Sequence, residues 1–178
     1  MAEAFSNKLA RAVGVVNSST GGSIGITTNK ITGISTTGVT VADLVESGQY
    51  LAGTKVSSIG AGQVIVDRDS TNTAAASSQN VKFLTPHTLY TSTGLKTILI
   101  GGTFANNTNG QVGLTVEVTD TSASITVAVA SKIPVPAGSS FVISDTGKTL
   151  LESGDSIKIY CDTANAIDAN ISILTGVN

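Results

Sequence analysis

The chain is 178 residues long, 40% hydrophobic and 12% charged, with a net charge of −2 and a mean hydropathy of +0.27. That is enough apolar material for one or two cores, and a charged fraction about half the usual level for a globular protein. The chain has no Lys/Arg run, no apolar stretch as long as a helical membrane span and only one Cys, so neither a nucleic-acid nor a membrane partner is expected, and an intrachain disulfide framework is excluded. Ser and Thr make up about a quarter of the residues, the palette of a β-protein whose outer faces are hydroxylated instead of charged.

Residues 1–12 read as an N-terminal arm. Residues 1–11 lack both an apolar h-region and a small-residue cleavage site, so no signal peptide is expected. Phe5, Leu9 and Ala12 are spaced to share one side of a short helical turn, with Asn7, Lys8 and Arg11 elsewhere. Two readings stand: a frayed terminus, or a hook that lays Phe5 and Leu9 on a partner with Arg11 as a further candidate contact. Removal of residues 1–11 is expected to leave the folded core intact.

Residues 13–85 read as a small hairpin-rich β domain. Short strands are predicted over 13–16, 24–28 and 30–34. Strands over 55–59 and 63–67 flank Gly60-Ala61-Gly62, a tight hairpin loop. Thr40 as N-cap and Asp43 in the first turn predict one helical turn over 41–47. The low-complexity stretch 70–80 reads as a surface loop or hairpin leading into a strand over 81–84. Pro86 marks the boundary, because it has no N–H for a sheet ladder and biases Thr85 away from helix.

Residues 86–178 read as an antiparallel β-sandwich, jelly-roll or immunoglobulin-like. Strands are predicted over 88–90 and 95–105, with Ile98, Ile100, Gly102 and Phe104 on one face. Asn109-Gly110 predicts a type I′ hairpin turn. Leu114-Thr115-Val116-Glu117-Val118, Ile125-Thr126-Val127-Ala128-Val129 and Ile157-Lys158-Ile159-Tyr160-Cys161 alternate with a period of two. Val116, Val118, Ile125, Val127, Ile157 and Ile159 are the expected core. Further strands over 132–135, 141–144, 149–151 and 167–174 complete the module.

Reactive groups are sparse. Cys161 falls at an inward strand position and the one His, His87, follows Pro86, so nothing in the sequence joins them as a nucleophile and base. Asp67-Arg68-Asp69 is a poor start for a calcium site, and Asp43, Glu46, Asp155 and Asp162 show no spacing that pairs carboxylates. Gly21-Gly22 and Gly101-Gly102 lack the Lys-Ser/Thr of a phosphate loop; the second pair suits a bulge or close backbone approach. Tyr50, Tyr90 and Tyr160 read as core or interface packing in preference to a sugar-stacking platform. No catalytic residue, cofactor or metal ligand is assigned, and no enzyme activity is expected.

The C-terminal run Leu89-Tyr90-Thr91, Lys96-Thr97-Ile98-Leu99-Ile100, Ile133-Pro134-Val135-Pro136-Ala137-Gly138-Ser139-Ser140 and Leu150-Leu151-Glu152-Ser153-Gly154-Asp155-Ser156-Ile157 resembles a β-sandwich module of tailed-bacteriophage structural proteins. Its marks are an "LYT…GKT" opening, a "PxPAGSS" corner and an "L…GDxI" penultimate strand. Ile31-Thr32-Gly33 and Gly53-Thr54-Lys55-Val56-Ser57-Ser58-Ile59-Gly60-Ala61-Gly62-Gln63-Val64 resemble a hairpin-rich element of phage virion proteins. Together they are most similar to virion proteins of marine cyanophages, over most of residues 13–178.

These motifs are turn and strand chemistry, so the resemblance carries no active site. It implies a non-enzymatic virion component assembled in the host bacterial cytoplasm, foremost a capsid decoration protein. Its partners would be the major capsid protein or other virion proteins, and a homo-oligomer is implied, with a trimer favoured. A neck, tail or fibre component, or a glycan-binding host-surface module, remains open. The last predicts exposed aromatics near 106–110 or 144–148.

Overall fold

The structure, a computed structural model, describes residues 3–94, 96–143 and 148–177, and over these it is all β, without helix. The chain divides into two compact units, Val15–Pro86 on the one hand and Met1–Gly14 with His87–Asn178 on the other. Strand β1 (Ala4–Val13) opens the discontinuous unit. The strands of the inserted unit follow: β2 (Val15–Ile24), β3 (Lys30–Thr32), β4 (Leu44–Glu46), β5 (Val56–Gly60), β6 (Gln63–Val66) and β7 (Ala76–Thr85). The chain then returns to the first unit with β8 (His87–Thr91), β9 (Lys96–Asn106), β10 (Val112–Asp120) and β11 (Ile125–Val135). It ends with β12 (Ser140–Ile143), β13 (Thr149–Leu151), β14 (Ser156–Cys161) and β15 (Ile167–Val177).

The inserted unit is a sheet closed on itself. Its order is β4-β7-β2-β3-β6-β5, and the two ends meet through a Leu44–Lys55 bridge. Val45 N–H donates to Thr54 O at 2.8 Å, and Val56 N–H to Asp43 O at 2.9 Å. The interior of this small barrel holds Ile24, Ile31, Val45, Val64, Val81 and Phe83. The β5–β6 hairpin forms around Ala61-Gly62 as the sequence indicates.

Four expectations fail in or at the edge of this unit. The strand over 13–16 is split, since β1 ends at Val13 and β2 begins at Val15, with Gly14 at a φ of +133° between them. The helical turn over 41–47 does not form, because Leu44–Glu46 pairs with β7 and its barrel contacts outweigh a single helical turn. The N-terminal signal there is a turn instead: Thr40 N–H and Oγ1–H donate to the two Asp43 carboxylate oxygens at 2.9 and 2.7 Å. The strand expected over 24–28 ends at Ile24, its pairing used by the Ser/Thr/Gly-rich β2. Half of the low-complexity stretch 70–80 is strand, since β7 begins at Ala76. Tyr50 is buried and its hydroxyl donates to Thr28 O at 3.0 Å. Burial, with the Asp69 charge second, pushes its pKa from 10.0 up to about 12.

The discontinuous unit is the predicted antiparallel sandwich. One sheet runs β1-β15-β9-β12, with β13 also paired to β9; the other runs β11-β10-β14-β8. Ile167, Ala169, Ile171 and Ile173 of β15 face Leu114, Val116, Ile157 and Ile159 of the opposite sheet in one core. A bulge opposite Ser172–Ile173 changes the facing of β9, so Leu99 is inward and Ile98 turns out. Gly102 follows it, where a β-carbon would come within 2.8 Å of Ile171 Cγ2.

The arm expected over residues 1–12 is, from Ala4 on, a strand. Ala4–Val13 is a full strand, paired with β15 from Ala4–Thr175 to Val13–Ile167. The spacing of Phe5, Leu9 and Ala12 imitates a helical face, but the period that matters is two. Ile125 and Val127 are not core: each is 55% exposed, because β11 is the outermost strand of its sheet. Residues 132–135 are no separate strand but the bulged continuation of β11. Asn109-Gly110 makes no hairpin, since β9 and β10 lie in different sheets. The crossing is instead organised by Asn106, whose amide donates to Gly110 O, Val135 O and Pro136 O. Leu95 and Ser144, at the ends of two predicted strands, lie outside the described residues.

Two measurements follow from this architecture. Deleting residues 1–11 strips an edge strand from the sandwich and is expected to cost a large share of the ~5–15 kcal/mol that stabilises a typical domain; calorimetry showing the full-length melting temperature would refute the pairing. The raised Tyr50 pKa means the neutral phenol stabilises the folded barrel. That contribution is whole below pH 10.0 and is lost as pH rises through about 12. Alkaline melts of Tyr50→Phe are expected to show a flatter loss over this window than the parent.

Candidate assembly surface

The three residues singled out in the sequence, Phe5, Leu9 and Arg11, all project from the outer side of β1. Along β1 the polarity is inverted. Ser6, Lys8 and Ala10 point inward and are partly buried, whereas Phe5 is 77% and Leu9 74% exposed. Small Ala10 packs against the sandwich core. Lys8 fits on the inner side because its ammonium lies 5.7 Å from the ring centroid of Tyr90, where it is stabilised by the face of the ring.

Sheet register extends the surface beyond these residues. Phe5 pairs with Leu174, Leu174 with Ile98 and Ile98 with Leu150, giving an apolar row across four strands. Leu9 pairs with Asn170, Asn170 with Thr103 and Thr103 with Val142. Between these rows, Ser172 Oγ–H donates to Asn7 Oδ1 at 2.9 Å. Asp168 Oδ1 accepts from Ala12 N–H at 2.8 Å, fixing the bulge that ends β1. An open depression of about 570 Å³ lies beside Leu9 and Arg11, floored by Thr103, Ala105 and Asn170. The face is therefore broad, shallow and apolar with amide and hydroxyl relief, chemistry suited to contact by area.

Of these residues, only Phe5, Leu9 and Arg11 were identifiable from the sequence. Ile98, Leu150, Val142 and Leu174 read there as ordinary strand residues. Their outward position depends on the β9 bulge and on which strands they meet, neither of which has a local signature.

The remaining candidates are dispersed. His87 is exposed on β8 while Cys161 is buried in the core. Asp67 and Arg68 form an exposed ion pair at 3.4 Å, and among the described residues no cluster of metal-ligating side chains gathers. Asp43 serves its own turn. Asp155 is buried and accepts from Thr121 N–H at 2.9 Å and Glu152 N–H at 2.8 Å, tying the β10–β11 turn to the β13–β14 turn. Asp120 accepts from Ala123 N–H and Ser122 Oγ–H in the same turn, and these donors hold its carboxyl below the usual range.

Glu117, which alternation placed outward, is buried and accepts from Tyr160 O–H at 3.1 Å on the neighbouring strand. Tyr50 and Tyr160 are buried in different units, so the tyrosines share no platform. The polar loop 106–110 carries no aromatic; residues 144–147, the other place where the glycan-binding reading expects one, lie outside the described residues.

No family model matches the chain, and no curated protein matches it. Among solved structures, a chain from the structure of the infectious bursal disease virus Gx strain is similar at 9% identity and a TM-score of 0.36. The match covers 97% of this chain and 72% of that one. A likeness at this level carries no argument about function.

Asp155 provides the test of this site's scaffold. Asp155→Ala leaves two buried N–H groups without their acceptor and is expected to destabilise the sandwich by about 2–4 kcal/mol in chemical denaturation. A loss within error of zero would show that the two turns are held by other means.

Proposed function

We propose that this protein is a non-enzymatic structural component of a tailed-phage virion, foremost a decoration protein that stiffens the head shell. The observation that carries the reading is the inverted polarity of β1, with its small and polar residues inward and Phe5 and Leu9 outward. A strand folded for its own unit alone would place those two side chains in the core. The apolar row continuing through Leu174, Ile98 and Leu150 supports the same reading, as do the phage-type turn motifs Pro136-Ala137-Gly138 and Ser153-Gly154-Asp155.

On this reading the outer sheet face lies on the major capsid protein or another virion protein, and copies associate around a symmetry axis of the particle. Affinity then arises from buried apolar area, at about 25 cal/mol per Å², with few charges to desolvate.

Antibody labelling of intact particles under the electron microscope tests the assignment. Gold spread over the head is expected. Gold confined to the tail, collar or fibres would move the protein to the alternative virion sites, and unlabelled particles would overturn the virion reading. The double variant Phe5→Ser/Leu9→Ser is expected to melt like the parent yet lose most of its incorporation, each truncation removing about 1.5–3 kcal/mol of apolar burial. Undiminished incorporation would place the contact elsewhere.

A further inference from the structure

Sheet edges are managed unevenly in this fold. In the barrel the two end strands meet at the Leu44–Lys55 bridge. In the sandwich, β12 and β13 are four and three residues long. Strand β8 is five residues with a bulge in its pairing, and β1 carries Lys8, Arg11 and a bulge before Val13. Short length, charge and bulges are the usual devices that stop edge strands from recruiting another chain.

Strand β11 is eleven residues long and lies at the end of its sheet, with no described strand on its far side. Its second half is defended by two register shifts, by Lys132 and by Pro134. Its first half is not. Residues 125–128 pair regularly with β10, and no charged residue occurs from Thr121 to Ser131. Ile125, Val127 and Val129 are 55%, 55% and 45% exposed. The turn feeding this half is tied down through Asp120 and through Thr121, whose hydroxyl donates to Gly154 O at 2.7 Å.

We infer that the first half of β11 is an interface between two copies of this chain, joined by antiparallel strand pairing about a two-fold axis through Val127. An edge whose backbone N–H and C=O groups meet no described strand selects a strand as occupant over a small ligand or a helix. The segment is also its own complement. Centred on Val127, the pairing sets Thr126 against Ala128 and brings Ile125 opposite Val129, where the first of the two register shifts falls, and it brings no charge against a like charge. Cross-strand pairs of β-branched residues are favourable, and a two-fold contact uses the same patch on both copies. The β1 edge, in contrast, would oppose its own Lys8 and Arg11. This inference rests on the sandwich edge and not on the virion reading.

Sedimentation equilibrium of the full chain over a wide concentration range tests it. The parent is expected to rise reversibly toward paired copies. Val127→Lys, which sets two ammonium groups against each other at the axis, is expected to associate at least about tenfold more weakly at an unchanged melting temperature. A parent that stays monomeric overturns the inference, as does association, trimeric or otherwise, that Val127→Lys leaves untouched. Hydrogen exchange on the parent reads the same contact without a substitution. Amides of residues 125–129 that face away from β10 are expected to slow as concentration rises, and exchange independent of concentration would overturn the pairing.

Discussion

The antiparallel pairing of β1 with β15 is the constraint on which the rest of the structure depends. It joins residues separated by nearly the whole chain, from Ala4–Thr175 to Val13–Ile167. At its end Gly14 passes so close to the Thr163 carbonyl that a β-carbon would collide with it, and the backbone there has a φ of +133°, where glycine is favoured. Ala166 N–H donates to Val13 O and Asn165 N–H to Gly14 O, closing the crossing. Because this pairing holds the first strand in the sandwich, the barrel is an insertion between the first two strands of the other unit. The same pairing turns Phe5 and Leu9 outward, since Ser6, Lys8 and Ala10 occupy the inner side.

The two units solve one physical problem in different ways. A β-sheet must satisfy its backbone groups and bury one face. The barrel does both by closing, with Leu44 meeting Lys55 and the alternate side chains filling the inside. The sandwich buries its inner faces sheet against sheet and leaves both outer faces and its edges to be dealt with residue by residue. Where the outer face carries Phe5, Leu174, Ile98 and Leu150, hydroxyl and amide side chains provide the relief and charges are few. The outer side of the opposite sheet is treated differently: Glu117 and Thr115 are buried there, with Tyr160 and Lys132 N–H as donors.

What could be read from the sequence follows from how local each signal is. Ile157, Ile159, Ile171 and Ile173 alternate in central strands, where a period of two and burial coincide, and they are core. Ile125 and Val127 carry the same alternation but belong to an outermost strand. Nothing within the strand records its place in the sheet, so that reading failed. Phe5, Leu9 and Ala12 fit a helical spacing by accident of a strand that points its large residues outward. Asn109-Gly110 has the composition of a hairpin turn, but its flanking strands belong to opposite sheets and Asn106 sets the loop. The surface residues found by sequence were those that looked misplaced, Phe5 and Leu9. Those that looked ordinary, Ile98 and Leu150, required the tertiary register.

Pairing of the first strand with the last also orders events during synthesis. Residues 15–86 form a contiguous barrel that can fold as soon as they leave the ribosome, and domains generally fold as units in that order. The sandwich cannot close until β15 has emerged. Through that interval β1 stays tethered to a finished barrel with its backbone unpaired and Phe5 exposed. Long-range β pairing of this kind is slow, because the entropy of a large loop is lost before its contacts form. The finished barrel shortens that loop, holding Val15 and Thr85 as neighbours in one ladder. It thereby brings the two ends of the inserted segment together.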